Sequence, residues 1–554
     1  MNKAVVSILV LALIAGAAQA QALRGQREPY IGYGYPAGGR QGTTFQITVG
    51  GQYLATTRGV FVSGSGVRAS VVDYLPPYRS IRFDRLPEFR HRILTRIAQL
   101  TGGPLPPPLK AATPAPAPTT PAAPATPAQP GDAPAPPAPA PRPEPPPLLA
   151  NLDKLSLWSV EQIRTMLQAN LDPRSRVQNK VAIGETVILE VTIDADAPPG
   201  DRDLRLITRT GLSNPLVFEV GRTLEVWEHE PNSRTDKPTA ALEPPLTLNG
   251  QIMPGDQDTF RLKLRQGQKM VIQVQARHLI PYLADAVPGW FQPTAALFGP
   301  ENQEVAYQDD YRFHPDPVVL YEVPSDGEYV LEIADSIYRG REDFVYRVHV
   351  GEQPFVTHLF PLGGREGNAT PVTLTGWNLL FPQMQLDTTP GGPAVRQAVW
   401  DWPEAPANPL PYAVDTLPEA TEVEPNGTRA AAQRVTLPLI INGRIEKPGD
   451  VDVFRLEGRA GEELVAEVMA RRLDSPLDSL LRLMNASGKP LAWNDDHPDQ
   501  EAALITHHAD SYLRFRLPAA GTYYVQLSDT SQHGGSEYAY RLRISGPRPD
   551  FAVR

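Results

Sequence analysis

Two short runs of oxygen-bearing side chains carry the most chemistry in this sequence. Glu228-His229-Glu230-Pro231-Asn232 puts two carboxylates and an amide at every second position, and Gly255-Asp256-Gln257-Asp258-Thr259-Phe260 adds two more carboxylates a short way downstream. In an extended chain, alternate residues point to one face, so Glu228, Glu230 and Asn232 line up together. Carboxylates crowded on one face repel, and a hard cation removes that repulsion. If the first run lies beside the second, four carboxylates and one amide converge. That donor set suits Ca²⁺, which takes 6–8 oxygens at about 2.3–2.6 Å. It needs no His or Cys, which disfavours zinc. Pro231 cannot donate to a sheet ladder and places the first run at an edge or in a leading arm. Asp258 shares the parity of Phe260, a core position, so the regular strand is expected to begin only after Asp258. The competing reading is a solvated acidic edge that deters strand-to-strand aggregation.

The same constellation recurs. Glu422, Glu424, Asn426, Asp450 and Asp452 reproduce every member at a constant offset of 194 residues. Gly327/Tyr329 match Gly521/Tyr523, Tyr346 matches Tyr540 and Asn214-Pro215-Leu216 matches Asn408-Pro409-Leu410 at that offset, whereas Asp309-Asp310 match Asp495-Asp496 at 186. A second repeat lies upstream of each copy, Pro36-Ala37-Gly38-Gly39-Arg40-Gln41-Gly42 against Pro361-Leu362-Gly363-Gly364-Arg365-Glu366-Gly367, at an offset of 325. The larger offset requires an insertion in the first copy. Residues 104–147 are its visible part: they hold 20 of the 61 prolines, so this stretch cannot bury a core and reads as an extended linker. Apolar stripes at Phe89/Ile93/Ile97/Leu100 and at Leu155/Val160/Ile163/Met166/Leu167 predict a helix on each side of it.

Elsewhere the period is two, as in Phe260/Leu262/Leu264, Met270/Ile272/Val274, Tyr329/Leu331/Ile333 and their counterparts in the second copy. Asn249-Gly250, Asn442-Gly443, Ser325-Asp326-Gly327 and Ala520-Gly521 read as turns between such strands. The expected fold class is all-β: tandem antiparallel β-sandwiches with a helix-flanked Pro-rich insertion, which the resemblances described below imply to be Ig-like and jelly-roll-like. The expected order is a signal peptide at 1–20, a first Ig-like domain split between 21–80 and 175–222, the insertion at 81–174, and a first sandwich at 223–351. A second Ig-like domain at 352–417, a second sandwich at 418–547 and the start of a truncated segment at 548–554 complete it.

The Glu-x-Glu-Pro-Asn arm, the Gly-Asp-x-Asp-x-Phe turn and the Gly-x-Tyr-x-Val/Leu strand resemble the bacterial pre-peptidase C-terminal domain, a module also found as the collagen-binding domain of clostridial collagenases. The resemblance covers residues 224–351 and 418–546. It implies a jelly-roll-like sandwich whose N-terminal arm folds back through calcium, with the five residues named in each copy as ligands. The family commonly has Asp directly after the Asn. Ser233 and Gly427 stand there, which removes one carboxylate from each set. The Pro-x-Gly-Gly-Arg-x-Gly segments resemble the start of IPT/TIG-type Ig-like domains.

Lys3, the run Ala4–Ala15, apolar except for Ser7, and Ala18-Gln19-Ala20 fit a secretory signal peptide cut after Ala20. The apolar run is shorter than the roughly 20 residues that span a bilayer, so membrane insertion is not expected. The chain has no cysteine, which excludes disulfides, thiolate zinc sites and Cys nucleophiles. Its net charge of −10 does not favour a nucleic-acid partner. Asp194, Asp196, Asp201 and Asp203 around Pro198-Pro199-Gly200 read as a hairpin turn, His507-His508 as an exposed loop, and Trp227, Trp290, Trp377, Trp400 and Trp402 as core or rim packing. No zincin, serine-hydrolase, phosphate-loop or dinucleotide motif is present.

The expected function is therefore a secreted, periplasmic or surface-associated, non-catalytic protein. Its calcium-stabilised sandwiches would bind an extracellular protein or polysaccharide, or space other modules. The runner-up is an accessory or targeting region of a secreted peptidase whose catalytic domain lies elsewhere. A cryptic hydrolase dependent on Asp256 or Asp450 is the third.

Overall fold

The computed structural model describes residues 28–75, 181–230, 232–233, 240–280, 290–400, 408–497 and 507–548, with single positions between 91 and 98. Among these, regular structure is almost entirely β, in eight sheets. His91, Leu94, Thr95 and Ala98 of the first predicted helix are helical; the second helix, the Pro-rich run and the signal peptide lie outside the described residues.

The chain divides into two compact units. The first unit contains two four-stranded sheets. One combines Tyr30–Tyr35, Thr44–Gln52 and Val67–Leu75 with Glu185–Ile193; the other combines Gly38–Arg40 and Gly59–Val62 with Gly200–Ile207 and Leu216–Gly221. Both sheets thus join strands that precede residue 76 to strands that follow residue 184. Their alternating faces meet in one core of Ile31, Ile47, Val49, Leu189, Leu206 and Phe218, the layered arrangement that lets each sheet hide its apolar side. The acidic stretch from Asp194 to Asp203 is not a hairpin: Glu185–Ile193 and Gly200–Ile207 belong to different sheets, so the segment crosses between them. The two prolines suit that crossing, because neither has an N–H to leave unpaired, and Arg68 holds Asp194 through bonds of 2.6 and 2.9 Å.

The second unit carries three sheet pairs. In the first, a five-stranded sheet orders Val318–Glu322, Lys269–Gln275, Val345–Gly351, Leu246–Gln251 and Leu224–Trp227, and faces a four-stranded sheet of Gln257–Leu264, Gly327–Asp335, Pro293–Phe298 and Glu304–Gln308. In the second, two three-stranded sheets run through Phe355–Phe360 and Leu410–Asp415. The third has two five-stranded sheets, one of Glu419–Thr421, Leu439–Arg444, Ala539–Ser545, Glu463–Met469 and Tyr512–Arg516. Its partner holds Gln433–Arg434, Val451–Gly458, Gly521–Asp529, Ser479–Asn485 and Pro490–Asn494.

Two local expectations are corrected. Asn249-Gly250 and Asn442-Gly443 are not turns; they lie inside the strands Leu246–Gln251 and Leu439–Arg444, where both asparagines are buried. The strand carrying Asp258 begins at Gln257, and Asp258 pairs in register with Ile333, on the same buried face as Phe260. An acid at a core parity was read as a strand boundary; the fold instead drives the carboxylate into the interior and surrounds it with polar partners.

Candidate metal centre

Each acidic arm is the continuation of a sheet edge. Leu224–Trp227 pairs in parallel with Leu246–Gln251, and Glu228 extends that ladder by donating its N–H to Asn249 O at 3.0 Å. Glu419–Thr421 pairs likewise with Leu439–Arg444, and Glu422 N–H donates to Asn442 O at 3.0 Å. The chain then leaves the ladder, as the following proline requires. The Glu424-Pro425 peptide is cis. The arm is tied to the opposite sheet where Thr259 N–H donates to Asn232 O at 3.1 Å.

This path brings the predicted residues together in both copies. Ligand atoms of Glu228, Glu230 and Asp258 lie within 4.8 Å of one another, as do those of Glu424, Asp450 and Asp452. The remaining acids adjoin them. The charge of Asp256 acts on Glu230, and that of Glu422 on Asp452. Backbone N–H groups fix the outer oxygens: Gln251 N–H donates to Glu228 at 3.0 Å, Arg444 N–H to Glu422 at 2.5 Å and Glu446 N–H to Asp450 at 2.9 Å.

Asn232 and Asn426 are the fifth members. They are 5% and 0% exposed, and neither the Oδ1 nor the Nδ2 of either has a partner with hydrogen-bond geometry. Asn232 still lies near enough to Asp258 to favour its ionised form. Asp258 Oδ1 and Asp452 Oδ1 are also buried without a partner. Buried polar atoms are rarely left unsatisfied, because each forfeits its hydration for nothing. Here the orphaned oxygens sit amid carboxylates in both copies.

The electrostatics point the same way. Burial, reinforced by the charge of Asp258, holds the Glu228 carboxyl well above the carboxylate range. Burial together with Asp256 and Asp258 raises Glu230 to about 8. Burial raises Asp256 and takes Asp258 to about 6. In the second copy burial raises Glu422, and burial with the charge of Glu422 raises Asp452 to about 9. Such shifts mark an array that needs either protons or a cation. The all-oxygen donor set fits a hard divalent ion.

Several participants were not legible as site residues. Tyr346 O–H donates to Asp258 Oδ2 at 2.5 Å and Tyr540 O–H to Asp452 Oδ2 at 2.6 Å. Gly250 and Gly443 make room for these phenols: a Cβ at either would collide with the tyrosine and with Glu228 or Glu422. Behind each tyrosine lies a buried ion network. Arg347 bonds Glu225 at 2.9 Å and Asn249 at 2.6 Å, and Arg541 bonds Glu419 at 2.7 Å and Asn442 at 2.9 Å. The signal was present, because each member recurs at an offset of 193 or 194.

No family model matches the chain. A "probable subtilase-type serine protease" of Deinococcus radiodurans is 42% identical over 122 residues, 21% of this chain and 15% of that protein. The match thus spans only a small part of the relative's length. Among solved structures, the pre-peptidase C-terminal domain of a collagenase from Bacillus anthracis aligns at 15% identity over 22% of this chain and 100% of its own, with a TM-score of 0.17. A Bacteroides ovatus protein of a mixed-linkage glucan utilization locus, in complex with a heptasaccharide, aligns at 8% identity over 92% of this chain and 71% of its own, with a TM-score of 0.13.

Proposed function

We propose that this chain is an exported, non-catalytic binding and spacing protein whose two sandwiches are each stiffened by a calcium ion. Glu228, Glu230, Asn232, Asp256 and Asp258 hold one ion; Glu422, Glu424, Asn426, Asp450 and Asp452 hold the other. The observation that carries this reading is that three carboxylates converge in each copy, with a buried aspartate oxygen and the side chain of a buried asparagine from the same arm left unpartnered in both. The ion supplies the positive charge that the crowded oxygens lack. The chain's own groups position those oxygens, through the backbone donors at Gln251 and Arg444 and the phenols of Tyr346 and Tyr540. Calorimetric titration of the full chain with Ca²⁺ is expected to give two sites per chain, one after Asp452→Asn, and none after Asp258→Asn is added. Unchanged stoichiometry in the double variant would refute the assignment.

Polymer contact falls to the exposed edge strands in this reading. Tyr307 and Trp493, 186 residues apart, occupy corresponding edge strands and are 48% and 64% exposed, and each precedes an Asp-Asp pair. Large exposed aromatics repeated at one position fit a binding face better than packing. The double change Tyr307→Ala/Trp493→Ala is expected to reduce retention on an insoluble polysaccharide or collagen matrix at least tenfold with the melting temperature unchanged. Equal retention would remove these residues from the face.

The 42% identity to part of a subtilase-type protease favours a second reading, in which the chain is an accessory region of a secreted peptidase. The aligned length is comparable to one sandwich. Recovery of the native protein from the producing cells with in-frame peptides of a catalytic domain would decide for it.

A further inference from the structure

Within the second unit, three modules meet at one junction. The tip Tyr311–His314 of the first sandwich is closed on itself by two backbone bonds, Tyr311 N–H to His314 O at 2.9 Å and the reverse at 3.0 Å. It projects onto the two modules that follow. Tyr311 meets Phe355 edge-on at 5.3 Å, and the Arg471 guanidinium lies 3.3 Å from the ring centre of Phe313. Arg312 donates to Asp474 O at 2.7 Å and to Glu537 at 2.9 Å. His314 Nε2 lies 2.8 Å from Asp474 Oδ1.

A second histidine lies beneath this contact. His358, on the strand Phe355–Phe360, is 9% exposed, and its Nε2 is buried without a partner. Thr357 Oγ1 is 3.2 Å from its Nδ1. The charged groups facing it are Arg312 from the first sandwich, with Arg444 and Glu537 from the second. Arg444 is itself pinned 3.7 Å over the Phe360 ring. Two guanidiniums against one carboxylate leave no place for an imidazolium. The two histidines therefore sit in opposite electrostatic settings within one contact.

We propose that the junction is a two-histidine pH latch: a proton on His314 tightens the grip of the Tyr311–His314 tip, a proton on His358 breaks it, and the three modules are locked together most firmly in a window of mild acidity. The hydrogen bond to Asp474 raises His314 against the opposing effect of burial, with Asp474 and Asp316 adding charge and Arg312 subtracting. Its stabilisation is complete below the ordinary histidine value of about 6.5 and is lost as pH rises through the raised one. Burial, then Arg312 and Arg444, depresses His358 to about 4. The open junction takes up a proton near about 6.5 while the closed one refuses it until about 4, so opening grows about tenfold per pH unit between those limits. The latch does not depend on the metal reading, since neither histidine contacts a proposed ligand.

The chain has no cysteine, so two introduced ones can be labelled uniquely. Gln303→Cys and Lys489→Cys, on exposed loops of the two sandwiches, would carry spin labels in the full chain. Pulsed dipolar spectroscopy from pH 8 to pH 4.5 is expected to show one sharp distance that is most populated near pH 6.5, with the closed-to-open ratio falling at least tenfold by pH 5. His358→Gln, which cannot take the proton, should keep the sharp distance at pH 5. His358→Lys should lose it at pH 7, and His314→Gln should abolish the loosening on the alkaline side alone. The proposal is overturned if the distance does not respond to pH, or if His358→Gln opens at the same pH as the parent. Circular dichroism of each variant separates opening from unfolding.

Discussion

Adding calcium at pH 8, at a hundredfold excess over its dissociation constant, is expected to raise the melting transition of the sandwiches by roughly 8–15 °C, against a few degrees at pH 5. A ligand at that excess stabilises the folded form by about 2.7 kcal/mol per site, and a domain of this size shifts by roughly 3–5 °C per kcal/mol. The pH dependence follows from the carboxylates. Glu230 is raised to about 8, Asp258 to about 6 and Asp452 to about 9, with burial the leading cause in each. A raised carboxyl contributes stability that is complete below its unfolded value and is lost as pH rises through the folded one. The metal-free chain should therefore melt progressively lower from about pH 5 to about pH 9, as protons leave and repulsion grows. Calcium cancels that loss, because it replaces the protons at high pH and must displace them at low pH. Differential scanning calorimetry with calcium and with a chelator tests both halves. A transition that ignores the chelator at pH 8 would sink the metal assignment.

The site was legible because it is written twice. Glu228, Glu230, Asn232, Asp256 and Asp258 are ordinary acidic residues individually, but their recurrence at 194 residues, with unlike neighbours, marks a constrained set. The all-β architecture followed from period-two patterning, since a half-buried strand must alternate. Within the strands, what failed to show shares one physical origin: polar groups at core parity. Asp258 looked like a residue just before a strand, and Asn249-Gly250 looked like a turn, because local patterning assumes that polar residues face water. All three lie inside strands, where tertiary partners override that assumption: Tyr346 donates to one oxygen of Asp258, Arg347 donates to Asn249, and Gly250 clears space for the phenol. The crossing from Asp194 to Asp203 was misread for a different reason. Pro, Gly and Asp mark a change of direction, but only the sheet partners decide whether the chain returns beside itself or moves to the other layer.

Glu225→Ala should destabilise the first sandwich by about 3–5 kcal/mol, the range observed when one member of a buried ion pair is removed. Arg347 is fully buried and Glu225 nearly so, at 0% and 4% side-chain exposure. Removing the carboxylate strips a buried guanidinium of its countercharge, while Asn249 still accepts one of its hydrogen bonds. The corresponding Glu419→Ala should cost less, because Glu419 is 17% exposed and water can reach the vacated position. The paired change Glu225→Leu/Arg347→Met should cost less than either single change, since neither charge is then left unpaired. Urea unfolding of Glu225→Leu, Arg347→Met and the paired change closes that cycle, and additivity would show that the pair is not coupled. The network also bears on the metal. Glu225 sits on the strand Leu224–Trp227 that delivers Glu228, so loosening it should weaken calcium binding at the first site while the second keeps its affinity. Equal weakening at both sites would mean that Glu225 acts on global stability and not on the arm. Selective weakening would tie a buried ion pair, which neither touches the ion nor faces solvent, to the position of its first ligand.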